Sequence, residues 1–411
     1  MTKTGEFRSK GTTNKSWISI ELVGIGDKGG PCMEIGIDTL FEHPERPSSA
    51  IDYLKGLVRW LPAVGPEHFY YVFVSPRNQH QFTNLQSNVR LVNCFVSNEN
   101  MPLRIAIQQS ILPSYMRRLG LDVLFSPGNV CPLWGRFHRV LKINTLHHYR
   151  IPQLVGRTRS LYRNVAFAKS ARRADHIVAN TATTKEEICR LIGVPEEKVS
   201  VVLEASYDFY APIRQDEIAS VRARRGVHAN YVLFVSTLYR YKNLETLIRS
   251  FAKLIRERSF GCELVVAGRD CDSYQAKLEA LAESLGVTSK IRFLGFVPPE
   301  DLAALYSGAR VFVYPSLEET FGKPLIEAMS CGVPVVASNT SCIPEVLGGA
   351  GILVDPLDVD EMSHAIHEAS TNELARPQLI KMGLQRAHCF SWEASAKQTL
   401  AVIENTVYGE S

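Results

Sequence analysis

From Tyr70 to Val354 the sequence alternates short β-rich apolar runs with segments of helical period, and that rhythm admits few folds. The runs Tyr70–Val74, Arg90–Val92, Val123–Phe125, Arg139–Ile143, His176–Ala179 and Val199–Leu203 read as strands, preceded by Ile18–Val23. Ile51, Leu54, Val58 and Leu61 recur at helical spacing behind Ser48-Ser49, and a capped helix runs from Thr181 to Ile192. Around Ser206–Arg214 the pattern breaks at a Tyr- and Pro-containing stretch, and a second series starts with the strand Tyr231–Val235. Its first helix places Leu244, Leu247, Ile248, Phe251 and Leu254 on one face, with Asn243 as N-cap. Leu264–Ala267, Ile291–Leu294, Val311–Tyr314, Val333–Ala337 and Ile352–Val354 complete that series. Alternation of this kind builds parallel sheets covered by helices. The expected fold class is α/β, with two doubly wound domains facing each other across a ligand cleft. The domains are expected at residues 1–207 and 208–390, and a C-terminal helix over 391–411 is expected to pack back on the first.

A chain of 411 residues has the length for two or three such units, at roughly 100–200 residues each. Apolar residues make up 45% and charged residues 21%, which excludes disordered, collagenous and coiled-coil classes. There is no 18-residue apolar run, and the polar stretch from Met1 to Lys15 lacks the apolar core of a secretory signal. Nine scattered cysteines without C-x-x-C spacing fit reduced thiols rather than a disulfide framework or a zinc site. A cytoplasmic protein is the expectation.

Charge is unevenly spread. Residues 1–205 carry 26 basic and 17 acidic side chains, and the remainder carries 20 basic and 25 acidic ones. Within residues 101–175 there are 13 basic residues against two acidic, Asp122 and Asp175. Such a face steers anions, whether a phosphorylated substrate or an anionic lipid surface. Nucleic acid is not expected, because no recognition motif or stacking platform accompanies the charge.

Gly24-Ile25-Gly26-Asp27-Lys28-Gly29 has the G-x-G-x-x-G spacing behind a strand. A dinucleotide site also needs a helix opening at the third glycine. Gly30-Pro31 follows instead, and no helical period appears before about Ser48. The segment therefore reads as a long acceptor-binding or lid loop, with a plain insertion as the alternative and Gly26 as an acceptor-side candidate.

The most informative stretch is V-F-V-Y-P-S-L-E-E-T-F-G-K-P-L-I-E-A-M-S-C-G, residues 311–332. The strand Val311–Tyr314 ends at Pro315-Ser316 and delivers a loop holding Glu318 and Glu319. Phe321-Gly322-Lys323-Pro324 then turns into a helix that carries Glu327 and stops at Cys331-Gly332. A helix N-terminus at the carboxyl end of a parallel strand is an anion site, and Gly322 lets a ligand approach the backbone closely. Two carboxylates flanking that turn can each accept a pair of hydroxyl hydrogen bonds, which suits a ligand joining phosphate to polyhydroxy groups.

This segment resembles the E-x7-E signature of the retaining glycosyltransferases of GT-B fold, specifically glycosyltransferase family 4, the glycosyl transferases group 1 superfamily. The similarity extends to V-L-F-V-S-T-L-Y-R-Y-K-N-L-E-T-L-I at 232–248, L-V-V-A-G at 264–268 and I-R-F-L-G-F-V at 291–297. It also covers I-P-E-V at 343–346 and G-I-L-V-D-P at 351–356. The first half matches more loosely, through F-S-P-G-N at 125–129 and S-A-R-R-A-D-H-I-V-A-N-T at 170–181. The resemblance implies two facing Rossmann-like domains and transfer of a hexose-like sugar, with retention, from a GDP- or UDP-linked donor. The implied acceptor is the hydroxyl of a glycan or a lipid diphosphate, in bacterial surface-polysaccharide assembly. No metal or other cofactor is expected.

By the same resemblance, Glu327 matches the glutamate on the nucleotide ribose and Glu319 the one at the donor sugar. Phe321, Gly322, Lys323, Pro324 and Leu325 match the loop whose amides hold sugar and phosphate. Lys242 matches the lysine on the diphosphate, and Gly295-Phe296-Val297 the strand end along the base. Ser236-Thr237 stands where the family often has Gly-Arg, so the usual phosphate arginine is absent at Thr237 and Arg240 is the nearest substitute. On the acceptor side Asn144-Thr145 occupies the place of a His-Asp pair, with His147 and His148 a few residues later. Two other readings stand beside this one: a glycoside hydrolase using Glu319 and Glu327 as acid and base, and a catalytically silent binding protein on the same scaffold.

Overall fold

The computed structural model describes residues 32–41, 49–94, 101–151, 157–207, 209–258, 260–271 and 273–409. Residues 33–411 form one compact unit built on two parallel sheets. The first sheet contains β1 Glu34–Asp38, β2 Phe69–Val74, β3 Val89–Asn93, β4 Val123–Ser126, β5 His138–Ile143, β6 His176–Ala179 and β7 Val199–Val201. Their spatial order is β3-β2-β1-β4-β5-β6-β7, parallel at every pairing. The second contains β8 Tyr231–Val235, β9 Glu263–Ala267, β10 Ile291–Gly295, β11 Val311–Tyr314, β12 Val335–Ser338 and β13 Ile352–Val354. Its order is β10-β9-β8-β11-β12-β13, again parallel throughout. Strand order reverses at β1/β4 in one sheet and at β8/β11 in the other, and ligands of such folds lie outside the carboxyl ends at those reversals.

Helices on both faces bury the strands, which explains their nearly unbroken apolar runs. Every residue of β4, β8, β9, β11 and β12 is buried. Separate apolar cores lie on the two faces of the second sheet. Leu233, Val265 and Phe312 point into one, while Val232, Phe234 and Val313 point into the other. All nine cysteines are free thiols.

The first sheet departs from the sequence reading at its centre. The segment between Gly29 and Ser48, read as loop, contains β1, the strand from which the sheet grows in both directions. Glu-Ile-Gly-Ile-Asp offers two large apolar side chains and a glycine, too little for periodicity to register. Gly36 sits where a Cβ would come within 3.0 Å of the Phe73 and Met116 side chains, so its bareness is what lets its neighbours close over the strand. Ile18–Val23, the Gly24–Gly29 run and Gly26 lie outside the described residues. β12 begins at Val335 rather than Val333, behind a proline that has no amide to donate.

The chain ends by returning to the first sheet. The helix Trp392–Tyr408, capped by Ser391, lies against the helix Ser49–Val64. Trp392 stands beside Tyr53 at a ring separation of 5.9 Å and directly over Gly56, where a Cβ would meet the indole at 2.3 Å. The Met33 amide donates to His68 Nδ1, which leaves the ring proton on Nε2 to face Glu404 at 3.1 Å. Truncating Trp392 to alanine empties this seam and is expected to cost about 3–5 kcal/mol in urea unfolding.

Candidate active site

The reversal of the second sheet gathers the chemistry. β8 runs into a short turn, Arg240–Lys242, and then Asn243 in the left-handed region at φ 58° before the helix Leu244–Arg258. Asparagine tolerates that conformation, and its side chain is used to join loops rather than to cap a backbone amide of the helix. Asn243 Nδ2 donates to the carbonyls of Pro315 at 3.1 Å and Pro356 at 2.6 Å, while Oδ1 accepts from the Thr246 hydroxyl at 2.7 Å. The loops after β8, β11 and β13 are thereby tied at one point.

That tie sets Lys242 against Glu319. Both are largely buried, and the Lys242 ammonium is bonded to Glu319 Oε1. The same oxygen accepts from the Tyr314 hydroxyl at 2.6 Å and the Ser316 hydroxyl at 2.9 Å, and Lys242 Nζ lies 3.1 Å from Tyr314. Burial alone would raise the Glu319 carboxyl, but Lys242 and the two hydroxyls hold it below the ordinary carboxylate range. Tyr314 and Ser316 sit in plain view in V-F-V-Y-P-S. Sequence reasoning assigned them only to a strand and its end, because a strand-end side chain's direction depends on the fold.

Past Glu319 the chain turns at Gly322, φ 84°, into the helix Lys323–Ser330. Phe321 and Leu325 point into the core, Phe321 meeting Phe390 edge-on at 6.0 Å. Their contribution to a ligand is limited to backbone, and the Leu325 amide is already committed to the Gly322 carbonyl at 2.9 Å. Pro324 in the first turn has no amide to offer. Glu327 Oε2 accepts from the Tyr306 hydroxyl at 3.0 Å, and burial pushes its carboxyl up to about 7. Phe296 is half exposed with the Arg269 guanidinium 4.4 Å above its ring, whereas Val297 is buried beneath it in the core.

The first sheet supplies the opposite wall. The His147 ring approaches Tyr241 at 5.5 Å and lies within the fields of Glu319 and Lys242. Burial lowers its imidazole, and its Nε2 has no hydrogen-bond partner among the described residues. His148 does not join it. That ring is buried against Tyr149 and Phe167, and burial takes it down to about 4, a neutral core histidine. Asn144 is partly used on structure: its Nδ2 donates to the Pro127 carbonyl and its amide to Asn129 Oδ1, both at 2.6 Å, while its buried Oδ1 has no hydrogen-bond partner among the described residues. Arg240 is exposed, with its charge acting on Glu245 and Tyr274, and Thr237 is half-buried beside it in the chain.

Several contacts that no sequence spacing could announce cross between the two sheets' loops. Arg150 bonds Glu187 on its own side and Glu318 at 2.9 Å on the other. Glu345 accepts from the amides of Ala182 at 2.7 Å and Thr183 at 3.0 Å, capping the helix Ala182–Ile192 from the opposite domain. Lys323 Nζ lies 3.6 Å from Glu204, which also holds the buried Lys142.

Two family descriptions divide the chain between them. Residues 52–203 match Glycosyltransferase Family 4 and residues 218–386 match Glycosyl transferases group 1. The chain is 34% identical over 272 residues to the O-antigen chain mannosyltransferase B of Escherichia coli, spanning 64% of this chain and 70% of that one. It is 26% identical to a D-inositol 3-phosphate glycosyltransferase of Corynebacterium kroppenstedtii over 94% of this chain and 88% of the relative. Among solved structures, sucrose-phosphate synthase from Thermosynechococcus elongatus superposes with a TM-score of 0.73 at 20% identity, over 92% of this chain and all of the other. Anabaena HepE, solved with UDP and glucose, gives 0.70 at 19% identity over 91% of this chain and all of the other. These two share the GT-B fold seen here, with its paired parallel sheets and facing strand ends. With its two halves matched in order and a relative aligned across both, the chain belongs to glycosyltransferase family 4 of the glycosyl transferases group 1 superfamily, and it is a glycosyltransferase.

Proposed function

We propose that the enzyme transfers a hexose, with retention, from a nucleoside-diphosphate sugar to a hydroxyl of a glycan or lipid-linked acceptor in bacterial surface-polysaccharide assembly. The observation that carries this reading is the buried Lys242–Glu319 pair at the β8/β11 reversal, on the loop that leads into the helix Lys323–Ser330, with Glu327 on that helix. Glu327 receives the ribose hydroxyls and Glu319 the donor sugar. Lys242 and the helix N-terminus face the diphosphate, where charge grows as the anomeric C–O bond breaks and its electron pair leaves with the phosphate. The acceptor oxygen bonds the anomeric carbon on the same face, and its proton passes to the departing phosphate oxygen. No protein nucleophile is needed, and Glu319 Oε1, taking three donors at once, is poorly disposed to be one. The mannosyltransferase relative makes mannose the first sugar to try. A screen of UDP-, GDP- and ADP-sugars, with the product's anomeric configuration read by NMR, tests the reading. Inversion, or hydrolysis of simple glycosides without transfer, would sink it.

A second element of the proposal is peripheral contact with the cytoplasmic face of an anionic membrane. The helix Arg157–Arg173 exposes Leu161, Tyr162 and Val165, then Lys169, Arg172 and Arg173 one to two turns further on. Arg173 also donates to the Leu133 carbonyl, next to the exposed Trp134. Apolar and indole side chains ringed by cations suit a headgroup layer. No described helix is long and apolar enough to cross a membrane. Flotation with anionic liposomes is expected to carry the protein upward and neutral ones to leave it behind; equal behaviour removes the idea.

A further inference from the structure

The candidate donor site has a charge problem that the described pairings expose. A donor diphosphate brings two negative charges. Lys242 is already neutralised by Glu319, and Arg240 is exposed, with its charge acting on Glu245. The second cation at the helix tip is Lys323, whose ammonium stands 3.6 Å from Glu204 Oε2. Glu204 comes from the opposite wall, three residues past the end of β7. Its other oxygen accepts from Lys142 Nζ at 2.9 Å, and Lys142 is wholly buried with the Tyr53 ring 4.2 Å from its ammonium.

We propose that Glu204 is a positioning residue for the donor's diphosphate: it holds the Lys323 ammonium at the tip of the donor helix from across the cleft, while Lys142 cancels its own charge. The three groups carry a net charge of one positive, placed on the only member that the donor helix supplies. Lys142 is needed in this scheme because an unbalanced Glu204 would repel the phosphates it helps to seat. Both oxygens of Glu204 are engaged, and its carboxyl, which burial would raise, is held below the ordinary range by Lys142 and Lys323. The contact also joins the two walls at the helix tip, since Glu204 and Lys323 sit on opposite sides.

The inference rests on the donor reading above, and its test separates the two. The sign of one substitution is diagnostic. A glutamate merely near the phosphates repels them, so Glu204→Gln would tighten binding; a positioning glutamate gives the reverse. Binding of UDP, GDP and the parent nucleosides is measured by titration calorimetry on the full-length protein. Lys323→Met is expected to weaken the better diphosphate at least tenfold and Glu204→Gln threefold to tenfold, with the double variant no weaker than Lys323→Met. Nucleoside affinity is expected to stay unchanged in all three, which a general loss of structure would not allow. Because Glu204→Gln strands a buried lysine, Lys142→Met/Glu204→Gln, which removes both buried charges, is measured beside it and is expected to show the same loss. Tighter binding in either Glu204 variant, or additive losses in the double, overturns the proposal and leaves the donor reading standing. Failure of the unaltered protein to bind either diphosphate overturns both.

Discussion

Replacing Lys242 with methionine is expected to cost about 3–5 kcal/mol of stability, because it leaves Glu319 buried without its counter-charge. Turnover at saturating donor is expected to fall roughly 10²–10³-fold, the range found when a fixed donor is removed from a site of developing negative charge. Donor KM should move far less, since charge on the diphosphate peaks in the transition state rather than in the ground state. The pH dependence gives an independent check. In the unaltered protein Glu319 titrates below its ordinary value, so its stabilisation is present above about 4.5 and is lost as pH falls through the lower folded value. Without Lys242, burial governs and the carboxyl moves up, so the variant gains relative stability on acidification. Urea midpoints of the two proteins should therefore converge as pH is lowered from 7 to 4. A constant gap would show that the pair is not what holds Glu319.

Donor binding should depend on pH through Glu327. Its carboxyl, raised to about 7 by burial, must be ionised to accept two ribose hydroxyls. Donor KM is expected to rise as pH drops below 7, approaching tenfold per unit well below that value. Glu327→Gln should flatten this profile, and Glu327→Ala should weaken donor binding by roughly 10²-fold or more, losing hydrogen bonds worth about 1.5–3 kcal/mol each. The linkage to folding has the opposite sense to that of Glu319. A carboxyl whose folded value exceeds its unfolded value of 4.5 destabilises the fold progressively between pH 4.5 and 7, so Glu327→Gln should raise the melting temperature at pH 8 and change little at pH 4. A profile unchanged by Glu327→Gln would assign the pH dependence elsewhere.

The strands of the second sheet were largely legible in the sequence, since three of the six are apolar throughout and the others break the run only at Glu263, at Arg292 and at Ser338. Tyr231–Val235, Val311–Tyr314 and Ile352–Val354 begin and end where their hydrophobicity does. β1 was invisible for the converse reason: it is central by position but carries a glycine and two acidic ends. That Lys242 and the E-x7-E segment lie together at the strand-end reversal was legible through resemblance and through the rule that ligands gather there, but not that Lys242 pairs with Glu319.

Sequence by itself determined the alternating architecture, the turn at Gly322 into a helix and the two glutamates on either side of it, because these depend on local spacing along one element. Which charges meet was decided only by tertiary structure. Lys242 and Glu319 lie 77 positions apart, Lys323 and Glu204 119, and Glu345 and Ala182 163. His147 and His148 are neighbours with opposite fates, one ring facing the cleft and the other packed in the core. Direction at a strand end or within a four-residue turn is set by what packs against it, and that partner comes from a distant part of the chain.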